Sequence, residues 1–337
     1  MRPPRAGQCC LPLHEKPLEQ RHAVVNAGVV AGFADRKVAF FMRLRYTCSM
    51  QFLQFNDVSF TYPPVEGDVD ADGRAPRPVF EHFTAELPAG FVSLVGQNGC
   101  GKSTLLMLAS GRLVPTAGSV MLLGQNPVLL AQEAKNLLAS VIYQNMEFES
   151  DDTVRELLSH VYATGALKGA AVAIHNKSAD LLSEVIDKFE LAPVLGHTLA
   201  GISKGELQRV LLAFALLYGS ASVFMDEPLF AMETPQKERA LSYLRDFVHE
   251  TGTSIYLSMH ELDLTRRYAD MVLLFYPNRD MDLGTPDEVL TTESLEKAYG
   301  VPAVMLKDGE TYTRKHLNDV AAAIKDLNER KLQQTER

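Results

Sequence analysis

From Gln51 onward the chain alternates between short apolar runs and longer amphipathic ones, and the two periods sort into strands and helices. Phe52, Phe55, Val58 and Phe60 give Gln51 to Tyr62 a strand-like alternation. Phe91 to Val95 is a short apolar strand that leads into a glycine-rich loop and a helix beginning near Lys102. Val141 to Tyr143 predicts another strand. Leu157, Leu158, Val161 and Tyr162 share one helical face, as do Leu181, Leu182, Val185, Ile186 and Phe189. Next come a helix over Lys204–Tyr218, a strand over Ser222–Met225, a helix over Pro235–Glu250 and a strand over Ser254–Met259. Strands alternating with helices predict a mainly parallel sheet covered on both faces. The helical run over about 146–204 interrupts that alternation and reads as an inserted subdomain.

The two ends differ from this middle. Residues 1–49 show neither a clear period nor capping logic, and a translation start at Met50 would explain the change of character. Residues 63–78 are a turn-rich, acidic insert; Asp68, Asp70, Asp72 and Gly73 imitate the opening of a calcium loop, but the twelfth position is Val79 rather than a bidentate Glu. Leu317, Val320, Ile324 and Leu327 predict a surface helix in the extension over 307–337.

Composition narrows the class. The formal net charge of −9 argues against a nucleic-acid surface, which carries a basic footprint. Of the four cysteines, Cys9, Cys10 and Cys48 fall before Met50, and Cys100 stands alone in the rest, so a reducing compartment is expected. No stretch reaches the roughly 18 apolar residues of a membrane span. The best candidate, Ala23 to Phe41, is broken by Asp35, Arg36 and Lys37.

The strongest chemical signal is GQNGCGKST: Gly96, Gln97, Asn98, Gly99, Cys100, Gly101, Lys102, Ser103 and Thr104. Its glycines let backbone N–H groups approach phosphate oxygens, and the helix that follows adds its positive dipole end. Lys102 is placed for β- and γ-phosphates and Ser103 for Mg²⁺. Cys100 occupies a variable position of the loop, where Lys102 favours a thiolate and burial opposes it. A second signal is the apolar run Ser222–Met225 ending in Asp226 and Glu227. An Asp there can hold Mg²⁺, and a Glu one residue on can polarise an attacking water. The third is ISKGELQR at 202–209, where Ser203 and Gly205 open a helix whose N-terminus suits another anion.

The third segment resembles the L-S-G-G-Q-x-Q-R signature of ABC ATPases, and over about 50–306 the chain is similar to that family. The resemblance implies an α/β P-loop NTPase (RecA-like) core with a mainly parallel sheet, a small antiparallel β subdomain and an inserted α-helical subdomain. It implies ATP and Mg²⁺, with Tyr62 stacking on adenine, Gln144 reaching the metal and a channel subunit, and His260 contacting the γ-phosphate. ATP would lie between the phosphate loop of one subunit and Ser203, Gly205 and Glu206 of another, so a homodimer is expected. Two departures stand out: Lys204 and Glu206 replace a Gly and the Gln of the signature, and Glu233 replaces the usual Asp downstream of Glu227.

The tail over 284–306 resembles ATPases that drive uptake of iron–siderophore complexes, haem and cobalamin. That implies integral membrane permease subunits, a periplasmic or surface substrate-binding protein, and a cytoplasmic place on the inner face of the membrane. The rival expectation is an ABC ATPase acting as a regulatory clamp on a membrane complex without cargo.

Overall fold

The structure, a computed structural model, describes residues 52–63, 78–143, 146, 150–177, 179–302 and 306. The extensions over 1–49 and 307–337, nearly all of the acidic insert, and Gln144 lie outside the described residues. In chain order the elements are β1 (Leu53–Phe60), β2 (Phe80–Leu87), β3 (Phe91–Val95), α1 (Lys102–Ala109), β4 (Ala117–Leu122), α2 (Gln132–Leu138) and β5 (Ala139–Ile142). Then follow α3 (Val154–Thr164), α4 (Leu181–Lys188), α5 (Lys204–Tyr218), β6 (Ser222–Met225), α6 (Thr234–Thr251) and β7 (Ser254–Ser258). The last are α7 (Leu262–Tyr268), β8 (Met271–Phe275), β9 (Met281–Gly284), α8 (Pro286–Val289) and α9 (Thr292–Tyr299).

Two kinds of strand make two sheets. β1 alternates buried and exposed positions and sits at the centre of a three-stranded antiparallel sheet of order β2-β1-β4. β3, β6 and β7 are buried at every position, as strands covered on both faces must be. They lie within a six-stranded sheet of order β5-β6-β7-β3-β8-β9, parallel except for β9 on β8. Phe224 of β6 and Tyr256 of β7 stack at 5.2 Å, and the Tyr256 hydroxyl donates to the Pro88 carbonyl, so the buried phenol is satisfied.

One face of the large sheet shares a core with α1 and the small sheet, through Leu94, Leu105 and Phe55. The other carries α6 and the helical insert, where Leu158, Val185, Leu212 and Leu244 join one cluster. A buried carboxylate fastens the insert to α6. Glu184 accepts N–H bonds from Ile174, His175 and Asn176 at 3.0, 3.0 and 3.2 Å, and the Tyr243 hydroxyl of α6 at 3.0 Å. Burial pushes the Glu184 carboxyl up, but those four donors outweigh it and leave it below the ordinary carboxylate value.

Candidate functional site

β3 ends at Val95, and the next turns are shaped by glycine. Gly101 caps α1 at φ 108, a backbone conformation closed to most residues, and so turns the loop directly into the helix. Gly96, at φ 152, has no room for a side chain: a Cβ would meet Phe275 at 2.9 Å and the Cys100 sulfur at 3.1 Å. The loop curls around Lys102, whose Nζ donates to the carbonyls of Gly96 (2.8 Å) and Gln97 (2.9 Å). The thiol of Cys100 lies 4.0 Å from the same Nζ. Burial pushes this thiol up, and the Lys102 charge only partly offsets it, so burial prevails over the expected activation.

Two cavities flank the loop and share Asn98 and Glu227. One, of about 410 Å³, is lined by Gly99, Gly101, Lys102, Ser103, Thr104 and, at its far side, Tyr62. The Tyr62 hydroxyl is 3.0 Å from Thr104 Oγ1, and its ring stands edge-on to Phe60 at 4.9 Å. The other, of about 430 Å³, is bounded by Gln97, Phe230, His260 and Tyr299.

The acids are fixed by a residue that sequence reasoning missed. Ser258, the last residue of β7 and fully buried, donates its hydroxyl to Asp226 Oδ1 at 2.7 Å and accepts the N–H of Glu227 at 2.8 Å. Glu227 needs that support, because its φ of 47 lies in the left-handed region, costing about 1–3 kcal/mol for a non-glycine residue. The turn aims its carboxylate at His260, with Nε2 and Oε1 2.7 Å apart. The only hint in the sequence was a serine closing an apolar run two places before His260.

The site therefore gathers Tyr62, the 96–104 loop, Glu227 and His260, with Asp226 held alongside by Ser258. It does not gather the third motif. Neither cavity is lined by Ser203, Gly205 or Glu206. Those residues open α5 in a capping box: the Ser203 N–H and hydroxyl both donate to Glu206 Oε2, at 2.8 and 2.7 Å, and the Glu206 N–H returns to Ser203 Oγ at 3.3 Å. These bonds hold the Glu206 carboxyl below its ordinary value. Gly205 approaches the loop after Glu227 so closely that a Cβ would lie 2.6 Å from the Ala231 carbonyl oxygen. The Ala231 N–H in turn donates to Gln208 of α5 at 2.9 Å. Glu233 caps α6 through a reciprocal box with Gln236, and Arg209 donates to the carbonyls of Phe189 and Glu190, a structural tie.

Ser103 offers a hydroxyl and Asp226 a carboxylate, hard oxygen donors of the kind Mg²⁺ takes, in small number, beside substrate phosphates. The donors present fit that ion. Among the described residues no helix is long and apolar enough to cross a membrane.

A phosphate loop between a buried strand and a helix, with paired acids at the end of the next strand but one in the same sheet, defines a RecA-like P-loop ATPase fold. The profile of the family described as ABC transporter matches residues 82–230. A hemin import ATP-binding protein of Rhizobium meliloti is 31% identical over 222 residues, 63% of this chain and 82% of that protein. The chain belongs to the ABC transporter family of ATP-binding proteins. A cobalamin import ATP-binding protein of Halobacterium salinarum is 28% identical over 223 residues, 65% of this chain, but the match spans only 54% of that relative's length. A solved ATP-binding subunit of an ABC transporter superposes with a TM-score of 0.57 at 22% identity, covering 77% of this chain and 99% of that one, a likeness of fold.

Proposed function

We propose that this chain is the ATP-hydrolysing subunit of an ABC importer, working as a homodimer beneath integral membrane permease subunits. The observation that carries the reading is the Ser258 hinge, whose hydroxyl holds both the Asp226 carboxylate and the Glu227 turn. Lys102 exchanges its two carbonyl partners for β- and γ-phosphate oxygens, a stronger charge-assisted pairing. Ser103 and Asp226 would hold Mg²⁺, which would neutralise charge on the phosphates. Gln144 completes that set in this reading.

Glu227 takes a proton from water as the water oxygen attacks the γ-phosphorus in line. The bond to the ADP oxygen breaks, and inorganic phosphate leaves. His260, already bonded to Glu227, orients that carboxylate and contacts the γ-phosphate. Tyr62 gives up its bond to Thr104 to lie on adenine. Ser203, Gly205 and Glu206 of α5 line neither of the two cavities that flank the phosphate loop, which supports their serving the site of a second copy.

The hemin and cobalamin relatives, together with the tail over 284–306, support import of an iron-chelate, haem or cobalamin-type substrate delivered by a periplasmic or surface binding protein. The test is co-expression with a permease of that group. The chain is expected at the inner face of membranes only with the permease, with turnover rising when substrate and binding protein are added. Gln144→Ala is expected to weaken that stimulation more than ATP binding. A chain that stays free of every permease, and whose turnover no substrate alters, refutes transport and favours the regulatory clamp.

A further inference from the structure

We infer that Tyr299, at the C-terminal end of α9, is a positioning residue for the phosphate loop: its carbonyl anchors Gln97 and its side chain lies buried beside Gly96 and Cys100. The inference rests on the functional reading only where it concerns ATP; the contact itself is independent of it. The four last carbonyls of a helix lack intrahelical donors. In α9 one of them is supplied by the phosphate loop: Gln97 Nε2 donates to the Tyr299 carbonyl at 2.7 Å. The helix ends there because Gly300 adopts φ 68 and returns its N–H to Glu296. The loop and the helix thus cap each other across 202 residues of sequence.

The packing makes this a fixed abutment. Leu295 and Ala298 of α9 are buried in one cluster with Val95, the residue before Gly96, and with Leu274 of β8. Lys297 lies over the Tyr276 ring at 4.4 Å, a second hold on the same helix. The Tyr299 ring, packed against that cluster, bounds the cavity that Glu227 and His260 also line. Its phenol is buried beside Cys100 and the backbone of Gly96, and burial pushes it up to about 12. The hydroxyl lies against the Gly96 backbone. The carbonyl bond and the buried side chain together carry the contact.

Removing the ring opens the space beneath Gly96 and Cys100, so the thiol becomes a local reporter of loop position that overall stability does not mimic. The experiment uses the full chain without nucleotide. Alkylation of Cys100 by iodoacetamide is timed by peptide mass spectrometry, and ATP affinity is measured on the same preparations. Tyr299→Ala is expected to speed alkylation about tenfold as the thiol loses its cover. ATP affinity should fall about fivefold as the loop loses its register, with kcat within about twofold. Tyr299→Phe should match the unmodified chain in both. Tyr299→Leu, which also removes the ring but keeps an apolar side chain on the helix, should behave like Tyr299→Ala and serves where that variant folds poorly. An unchanged alkylation rate in both ring-removing variants overturns the inference, as does a faster rate with unaltered ATP affinity. If the unmodified chain binds no ATP, the functional reading fails instead, and the alkylation rates alone decide this one.

Discussion

Ser258→Ala removes one hydroxyl and with it both supports of the acid turn. The bond to the Asp226 carboxylate is charge-assisted, worth about 1.5–3 kcal/mol, and the stranded Glu227 N–H costs about 1–3 kcal/mol more in a buried place. Taking the low half of each range gives a loss of about 3 kcal/mol. At roughly 2–4 °C per kcal/mol for a domain of this size, the thermal midpoint should fall about 6–12 °C. The kinetic effect is separable from the stability loss. With its N–H released, Glu227 relaxes out of the left-handed conformation it holds at φ 47, and its carboxylate moves off His260. A displacement near 1 Å at a base costs on the order of 100-fold in rate. Among the described residues the hydrogen bonds of Lys102 go to its own loop and those of Ser258 to Asp226 and Glu227, so ATP affinity should stay within about threefold. Steady-state ATPase assays well below the new midpoint, with nucleotide titration and differential scanning calorimetry, read all three quantities. A variant with a lowered midpoint but unaltered kcat would refute the hinge and leave Ser258 a packing residue.

Glu227→Gln should lower kcat by about 100- to 10,000-fold, as loss of a general base does, while ATP binding persists and holds a dimer visible by size-exclusion chromatography. Turnover near the unmodified rate would remove Glu227 from that role. A bulky thiol reagent at Cys100 should block nucleotide binding and bound ATP should protect the thiol; because burial raises this thiol above its ordinary 9.0, modification should be slow at neutral pH and quicken as pH rises past that value. Full ATPase activity after modification confirmed by mass spectrometry would contradict this. Glu184→Gln should cost about 1–3 kcal/mol at neutral pH in denaturant titrations. Its folded-state carboxyl is depressed, so the wild-type advantage is full above the ordinary 4.5 and disappears as pH falls below it; a difference that persists at low pH would show that the charge is not what counts.

The elements that announced themselves in the sequence are those whose burial is complete. β3, β6 and β7 were legible because every position is apolar or small, and α5 and α6 because their stripes are long. β5 begins two residues before the apolar Val141, since Ala139 and Ser140 carry little hydrophobic signal yet pair with Ser222 and Val223. β2 and β4 went unseen because exposed polar positions and Gly118 break their periods, and they are strands only by virtue of pairing with β1. The phosphate loop and the acid pair are local motifs and were readable as such, whereas His260 was expected only from its place in the family resemblance. Ser258 and Tyr299 were not, because their contacts with the site arise from tertiary pairing of β6 with β7 and of α9 with β3.

The departure at the start of α5 also has a physical reason. Lys204 and Gly205 are neighbours under opposite constraints. The first is exposed and opens the helix, so a long side chain extends into water without displacing anything. Its charge opposes the helix dipole by about 0.3–1 kcal/mol, and Glu206 in the same turn supplies the compensating sign. The second is pressed against the Ala231 carbonyl, where even a methyl group has no place. A pair of glycines in a motif thus divides into one that the fold requires and one that it leaves free, and this chain has used the freedom to set an exposed cation at the mouth of a helix.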